Sequence, residues 1–198
     1  MRDIKEEKQE VSIPQRRNRG VSIAVRLAQC ALFVVLMVVS AFIRIPIPYV
    51  PLTFQTVVAV LAGLLLGARW GTAAMLVYIF MGLVGLPVFS GGGGFAYVLQ
   101  LTFGYIIGFA CAAFAAGLLR GSGAFTIRRA TLAALAGVAA NYLIGVPYFM
   151  VIWSCYMNMS GLWNAVLVNN ILFIPKDIVL CILAAFLAQR IGKALRKG

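Results

Sequence analysis

Histidine is absent from the 198 residues, and carboxylate side chains are nearly absent beyond the first ten. The sequence holds five acids, of which only Asp177 lies outside those ten residues; the others are Asp3, Glu6, Glu7 and Glu10. Enzymes need a nucleophile with a base, paired carboxylates or a set of metal ligands. The sequence therefore predicts no catalytic residue and no metal site.

Cysteine is scarce, and its spacing contains no metal or redox motif. The four thiols lie in apolar segments without CxxC spacing, at Cys30, Cys111, Cys155 and Cys181. This placement is typical of small buried hydrophobic residues. The run of four glycines at 91–94 is followed by Phe95, not by the Lys-Ser/Thr of a phosphate-binding loop. We therefore expect no cofactor and no ATPase activity in this chain.

Apolar residues dominate what is present. They make up 63% of the chain, charged residues make up 11%, and the mean hydropathy is +0.98. This composition is typical of integral membrane proteins. The net charge of +12 arises from basic residues between apolar runs, which indicates membrane topology and not nucleic-acid binding. We expect a multi-pass protein of the cell membrane.

The apolar runs divide the chain into two parts. Residues 1–20 are polar and of mixed charge, and we expect a disordered cytoplasmic tail. Residues 21–198 are expected to form one membrane domain with an all-α fold. Its six predicted transmembrane helices cover about 22–43, 54–67, 72–86, 101–119, 130–153 and 175–191.

The second and third predicted spans are too short to cross a bilayer unaided. A helix of about 15 residues is about 22 Å long, against a hydrocarbon core of about 30 Å. Pro46, Pro48 and Pro51 predict an extended segment before the second span. The third span ends at Pro87, and a charge-free, glycine-rich stretch lies at 85–105. Short, interrupted apolar segments are a pointer to a transporter binding site. We expect the glycine-rich loop to act as a lid over a ligand pocket.

Lysine and arginine set the predicted orientation. Apart from Arg44 and Lys176, they lie on the N-terminal side of the first span, including its first turns, in the turns at Arg69 and at 120–129, and at the C-terminal end of the last span. The positive-inside rule then places both termini in the cytoplasm. The loops at 45–55, 86–100 and 154–176 are consequently predicted to face outward, around an outward-facing pocket. Arg44 and Lys176 could anchor the chain at the membrane surface or bind an anionic ligand group.

Polar and aromatic residues at the outer ends of the spans are the candidate binding residues. They are Thr53, Gln55, Phe89, Gly93, Tyr97, Gln100, Tyr105, Tyr148, Asn170 and Asp177. Structural roles compete with ligand contact: Thr53 and Gln55 could cap a helix, and tyrosines anchor helices at membrane interfaces. Asp177 could instead be a helix-start residue paired with Lys176.

A small-xxx-small pair, Ala24 and Ala28, lies on the first predicted span. Such pairs let two helices approach closely. Contact within the same bundle and contact with another subunit are equally consistent with this pattern.

Several segments in order carry a resemblance to a known family. They are PLTFQT from Pro51, LAGLLLG from Leu61, GLVGLPVF from Gly82, the glycine run, TFGYIIGF from Thr102 and FIPKD from Phe173. Together they resemble the BioY family, the biotin-binding S components of energy-coupling factor (ECF) transporters. The resemblance covers nearly everything from Val21 to the last helix.

The resemblance implies a six-helix subunit that takes up biotin. A transmembrane coupling protein and two ATP-binding cassette subunits on other chains would drive it. Ala24 and Ala28 match the small residues that dock to the coupling protein, while Gln55, Tyr105 and Asp177 keep family positions. An S component for another vitamin, such as riboflavin or thiamine, and a non-transporting helical bundle are the alternatives.

The sequence departs from the family pattern at the ends of two motifs. Many members have glycine before the aspartate and lysine three residues after it, where this chain has Lys176 and Leu180. Gln100 and Leu101 replace a Ser-Pro pair. The family lysine therefore cannot be assigned directly, and either Arg44 or Lys176 is a candidate for the biotin carboxylate.

Overall fold

The computed structural model describes residues 22–47, 49–121 and 126–197, so the predicted tail at 1–20 lies outside the described residues. The chain forms an all-helical bundle with a two-stranded ribbon at one end. The helices are α1 Ile23–Phe42, α2 Gln55–Leu83, α3 Phe103–Arg120, α4 Ile127–Val151 and α5 Leu162–Lys197. The ribbon pairs β1 Arg44–Ile45 with β2 Leu52–Thr53; a 3-10 helix spans Phe95–Leu99, and a π-helix, Ile152–Tyr156, extends α4. In the described part of the chain, five helical segments are long and apolar enough to cross a membrane.

α2 folds back on itself at Gly67. This residue has φ 83° and ψ 174°, which is not helical, and a positive φ favours glycine. A Cβ on Gly71 would lie 3.0 Å from the backbone of Ala62, so the arms at 55–66 and 68–83 pack side by side. These arms correspond to the second and third predicted spans.

Small residues bring α2, α3 and α4 into close contact at the centre of the bundle. A Cβ on Gly63 of α2 would lie 2.3 Å from the carbonyl oxygen of Ala113 on α3. A Cβ on Gly108 of α3 would lie 2.2 Å from the side-chain oxygen of Asn141 on α4. Close backbone approach through small residues is the usual packing mode of membrane helices.

α1 packs mainly against α2 and leaves a broad face uncovered. Ser22 caps this helix by accepting a hydrogen bond of 3.4 Å from the backbone N–H of Val25. Its buried side carries Phe33, Val34 and Met37. The opposite side is exposed in the described residues and includes the predicted pair Ala24 and Ala28.

α5 begins earlier than the sequence predicts. The predicted sixth span started at Pro175, after an asparagine-interrupted loop, whereas the helix starts at Leu162. The side-chain amides of Asn169 and Asn170 donate to carbonyl oxygens four residues earlier, each at 2.8 Å. These hydrogen bonds satisfy amide donors inside the same helix, so the asparagines do not interrupt it. Asp177 consequently lies in the helix interior, and its interpretation as a helix-start residue is wrong.

The proline-rich segment after α1 forms the predicted extended structure. Arg44 pairs with Thr53, and Ile45 with Leu52, in an antiparallel ribbon. At the tip, Tyr49 has φ 74°, and its ring packs edge-on against Trp153, with centroids 4.7 Å apart. The ribbon is thereby held against the π-helix at the C-terminal end of α4.

The glycine-rich stretch forms a hydrogen-bonded turn. Phe89 and Gly92 exchange two backbone hydrogen bonds of 2.9 and 3.1 Å, and the Gly94 N–H donates to the Gly82 carbonyl at 2.7 Å. Gly93 is required by packing, since a Cβ there would lie 2.1 Å from the Leu86 carbonyl oxygen. The run of glycines therefore permits a compact turn at 85–95 against the end of α2, hereafter the glycine turn.

Candidate functional site

An ion pair lies in the interior of the bundle. The Lys176 ammonium is 2.8 Å from Oδ1 of Asp177, and their side chains are 18% and 3% exposed. The Tyr142 hydroxyl donates to Oδ2 of Asp177 at 2.8 Å. Both oxygens of the carboxylate therefore have a partner, which offsets the cost of burying its charge.

Lys176 also connects α5 to the ribbon. Its ammonium donates a hydrogen bond to the Thr53 carbonyl and lies 5.7 and 5.9 Å from the ring centroids of Phe54 and Phe173. A cation at this distance from aromatic rings is attracted by their π electrons. Lys176 is therefore fixed by its neighbours, and its ammonium is bound to groups inside the bundle.

Gln55 begins a second buried polar chain. Its Nε2 donates to the Tyr78 hydroxyl at 2.6 Å, and that hydroxyl donates to the Val88 carbonyl at 3.1 Å. The Thr53 hydroxyl donates to Oε1 of Gln55 at 3.3 Å. The N-cap residue of α2 is Phe54, without a side-chain cap, so the capping interpretation of Thr53 and Gln55 is wrong. Instead, they link the ribbon to both arms of α2.

These polar groups surround a cavity of about 50 Å³, hereafter the inner cavity. Its lining is Val50, Pro51, Thr53, Gln55, Thr56, Ser90, Thr102, Tyr105, Ile106, Phe109, Tyr142, Phe173, Lys176 and Asp177. This volume accommodates one or two waters, whereas pockets for small organic ligands measure about 300–1,000 Å³. The described conformation is therefore closed to such a ligand.

A larger cavity of about 460 Å³, hereafter the outer cavity, adjoins the inner one. Its lining is Arg44, Pro46, Ile47, Tyr49, Pro51, Ser90, Gly91, Tyr97, Gln100 and Thr102. Three residues line both cavities, namely Pro51, Ser90 and Thr102. They form the boundary between the two spaces, hereafter the divide.

Tyr97 holds the glycine turn at the outer cavity. Its hydroxyl accepts hydrogen bonds from the Gly91 N–H at 3.2 Å and from the Thr102 hydroxyl at 3.1 Å. The Ser90 hydroxyl lies 3.4 Å away. Arg44 donates from Nη1 to the Ser90 carbonyl. The ribbon, the glycine turn and the start of α3 therefore meet at Ser90.

Eight of the twelve predicted binding residues, counting Arg44 and Lys176, line one of the two cavities. Thr53, Gln55, Tyr105 and Asp177 line the inner cavity with Lys176, while Arg44, Tyr97 and Gln100 line the outer one. The remaining four line neither cavity, namely Phe89, Gly93, Tyr148 and Asn170.

All four have packing or hydrogen-bonding roles elsewhere, and that of Gly93 is its close approach to the Leu86 carbonyl. Phe89 is 1% exposed and packs between Tyr78 and Tyr97, with ring centroids at 5.4 and 4.7 Å. The Tyr148 hydroxyl donates to the Val98 carbonyl. Asn170 donates within its own helix.

Tyr142 is the main residue that sequence reasoning missed. Besides its hydrogen bond to Asp177, its ring packs edge-on against that of Tyr105, with centroids 5.9 Å apart. Its position in the middle of an apolar span, beside Asn141, was the available signal. Asp177 was identified by a different signal, as the one acid beyond the first ten residues.

The fold and the site define an integral membrane protein that encloses a polar cavity within a helical bundle. A sequence model of the BioY family matches residues 9–197. The chain belongs to the BioY family.

Known proteins resemble the chain over most of its length. The "Probable biotin transporter BioY" of Lysinibacillus sphaericus is 45% identical over 87% of this chain and 89% of its own. The "Biotin transporter BioY" of Thermotoga maritima is 33% identical over 85% and 96%. A crystal structure described as the S-component for biotin from an ECF-type ABC transporter superposes with a TM-score of 0.73. Its sequence is 26% identical, and the match covers 86% of this chain and 92% of that one.

Proposed function

We propose that this protein is the substrate-binding subunit of an ECF-type transporter and takes up biotin. The cluster of Asp177, Lys176 and Tyr142 beside Gln55 carries the proposal. Burying a charged side chain inside a membrane protein is energetically costly, and such residues are typical of functional sites. We infer the identity of the ligand from the two BioY relatives, which are described as a probable biotin transporter and a biotin transporter.

The cluster suits the ureido ring of biotin, which has two N–H donors and one carbonyl acceptor. The Asp177 carboxylate accepts from an N–H, and the Lys176 ammonium donates to the carbonyl. Tyr105 and Phe109 also line the cavity and provide apolar surface for the thioether ring. A ligand without the matching groups would leave buried polar atoms unpaired, at about 1–3 kcal/mol each.

Biotin enters from the outside in this proposal, with both termini in the cytoplasm and the two arms of α2 among six crossings. The ribbon and the glycine turn then lie on the outer side, and the divide must open because the inner cavity holds only about 50 Å³. The ribbon contributes more of the inner lining than the glycine turn, which contributes Ser90. The lid is therefore mainly the 44–53 segment, helped by the glycine turn.

Energy comes from other chains in this proposal, namely a transmembrane coupling subunit and two ATPase subunits. The structural neighbour is described as part of an ECF-type ABC transporter, and this chain has no phosphate-binding loop sequence. Ala24 and Ala28 lie on the exposed face of α1. A second helix can approach closely there, and we assign this face to the coupling subunit.

Binding of labelled biotin to the purified protein tests the proposal directly. We expect retention at sub-micromolar concentration, displaced by unlabelled biotin and not by riboflavin or thiamine. Displacement by another vitamin alone would identify an S component of different specificity. Absence of binding to any of the three would favour a non-transporting bundle and overturn the proposal.

A further inference from the structure

We propose that Arg44 binds the carboxylate of the ligand, so that one elongated ligand spans both cavities with its acid end in the outer one. The inference rests on the proposed function, because it takes biotin as the ligand. It adds a residue that selects for a free carboxylate and assigns that role to the ribbon.

The charge balance of the described residues singles out Arg44. It is the only charged residue in the segments 43–54, 84–102 and 152–161, which connect the helices at this end. The only acid in the described part of the chain is Asp177, which is paired with Lys176. Arg44 therefore has no acidic partner there, and a ligand carboxylate would supply one.

Arg44 lies close to the inner cavity. It pairs with Thr53 across the ribbon, which places the two Cα atoms about 4.5–5.5 Å apart. The Thr53 carbonyl accepts a hydrogen bond from Lys176. Thr53 therefore connects Arg44 with the Asp177 cluster, and a ligand with a polar head and an acid on a short aliphatic chain can reach both.

The cavity volumes also favour a site in two parts. The inner cavity measures about 50 Å³ and the outer one about 460 Å³, and they meet at the divide. The head of the ligand enters the inner cavity when the divide opens, while its aliphatic chain crosses at Pro51. Tyr49 and Tyr97 provide apolar walls for that chain in the outer cavity.

Lys176 is a poor partner for the ligand carboxylate because its positive charge is already balanced by the Asp177 carboxylate. It forms an ion pair with Asp177 at 2.8 Å and donates to the Thr53 carbonyl. Drawing it away would leave the buried Asp177 carboxylate without a counter-charge, which is costly. A ligand carboxylate in the inner cavity would also be repelled by Asp177. The Arg44 guanidinium has five N–H donors, and its hydrogen bond to the Ser90 carbonyl uses Nη1.

The test compares biotin with biotin carboxamide, which is neutral at the acid end, on the purified protein. For the unmodified protein we expect the carboxamide to bind roughly tenfold to a hundredfold more weakly, the loss of one charge-assisted pair. Arg44→Gln should weaken biotin binding by a similar factor and leave carboxamide binding within about twofold. Arg44→Lys should recover part of the affinity for biotin, since an ammonium keeps the charge without the bidentate geometry.

Arg69→Gln and Lys176→Gln are the controls. Arg69 is an exposed cation at the start of the second arm of α2, and its substitution should change neither affinity. Lys176→Gln should weaken both ligands, because it removes a contact to the shared ureido head. Carboxamide binding by Arg44→Gln also reports that this variant is folded.

Two results would overturn the inference while leaving the proposed function intact. One is equal binding of biotin and the carboxamide to the unmodified protein. The other is loss of the preference for biotin in Lys176→Gln with its retention in Arg44→Gln, which would assign the carboxylate to Lys176. Failure of the unmodified protein to bind either compound would instead contradict the proposed function itself.

Discussion

Tyr142 and Asp177 are 35 positions apart in sequence, yet the Tyr142 hydroxyl donates a 2.8 Å hydrogen bond to the Asp177 carboxylate. The contact joins α4 to α5 beside the inner cavity. On the other oxygen, Asp177 pairs with Lys176, whose ammonium reaches the ribbon through Thr53. One buried carboxylate thus connects three separate segments of the chain, and changes to it should affect both stability and binding.

Removing the charge of Asp177 should cost more than removing the whole ion pair. Asp177→Asn leaves the Lys176 ammonium without a counter-charge, and breaking a buried pair from one side costs about 3–5 kcal/mol. We expect a clear fall in the melting temperature in detergent and at least about a tenfold loss of biotin affinity, equal to about 1.4 kcal/mol.

The double variant Lys176→Gln with Asp177→Asn is the matched control for that prediction. It removes both charges, so we expect its melting temperature to exceed that of Asp177→Asn while biotin binding stays weak. Thermal unfolding and labelled-biotin binding on the same preparations measure the two effects. Unchanged binding in Asp177→Asn would contradict a role for this carboxylate in the site.

Tyr142→Phe should destabilise the folded protein less than Asp177→Asn does. The change removes one hydrogen bond to a charged group, worth about 1.5–3 kcal/mol, and keeps the ring that packs on Tyr105. We expect a lower melting temperature and weaker biotin binding. Tyr156→Phe, at an exposed tyrosine, is the control and should match the unmodified protein. Equal behaviour of the two variants would show that the Tyr142 hydroxyl has no role.

Bulky residues at Ala24 and Ala28 should separate biotin binding from transport. Both alanines lie on the exposed face of α1, so leucine at either position prevents close approach of a second helix without disturbing the bundle. We expect Ala24→Leu and Ala28→Leu to bind biotin normally but to recover less coupling subunit and support less uptake. Ala139→Leu, at an exposed position on α4, is the control. Normal uptake in the two α1 variants would exclude this face as the docking surface.

Biotin should slow hydrogen exchange more strongly in the 44–53 segment than in the glycine turn at 85–95. The first segment contributes Val50, Pro51 and Thr53 to the inner lining, whereas the turn contributes Ser90. Amide exchange reports local opening, so the mobile part of the lid should show the larger protection. Protection confined to 85–95 would assign the lid to the glycine turn, and no change in either segment would argue against a lid.

The long elements could be read from the sequence because apolar runs and prolines are local signals. The ends of α1 and α3, the extended segment after α1 and the turn at Gly67 all lie close to their predicted places. The early start of α5 could not be read in this way. Its asparagines satisfy their own donors four residues back, and composition alone does not distinguish that arrangement from a polar loop.

The same limit applies to the candidate site. A polar residue in an apolar segment is visible from sequence, which is why Gln55 and Asp177 were identified. Whether an aromatic ring lines a cavity or fills the core depends on which neighbours surround it. Phe89 was predicted as a binding residue but packs between two tyrosines. Tyr142 was not predicted, although its hydroxyl donates a hydrogen bond to Asp177.

The turn at Gly67 makes the two halves of α2 dependent on each other during membrane insertion. Its arms of 12 and 16 residues, at 55–66 and 68–83, are about 18 and 24 Å long, so neither spans the apolar core by itself. We therefore expect them to enter the bilayer together, as a helical hairpin. Gln55 and Tyr78 lie on different arms and are joined by a hydrogen bond, so we expect formation of the site to depend on the turn at Gly67, which is not part of the lining of the inner cavity.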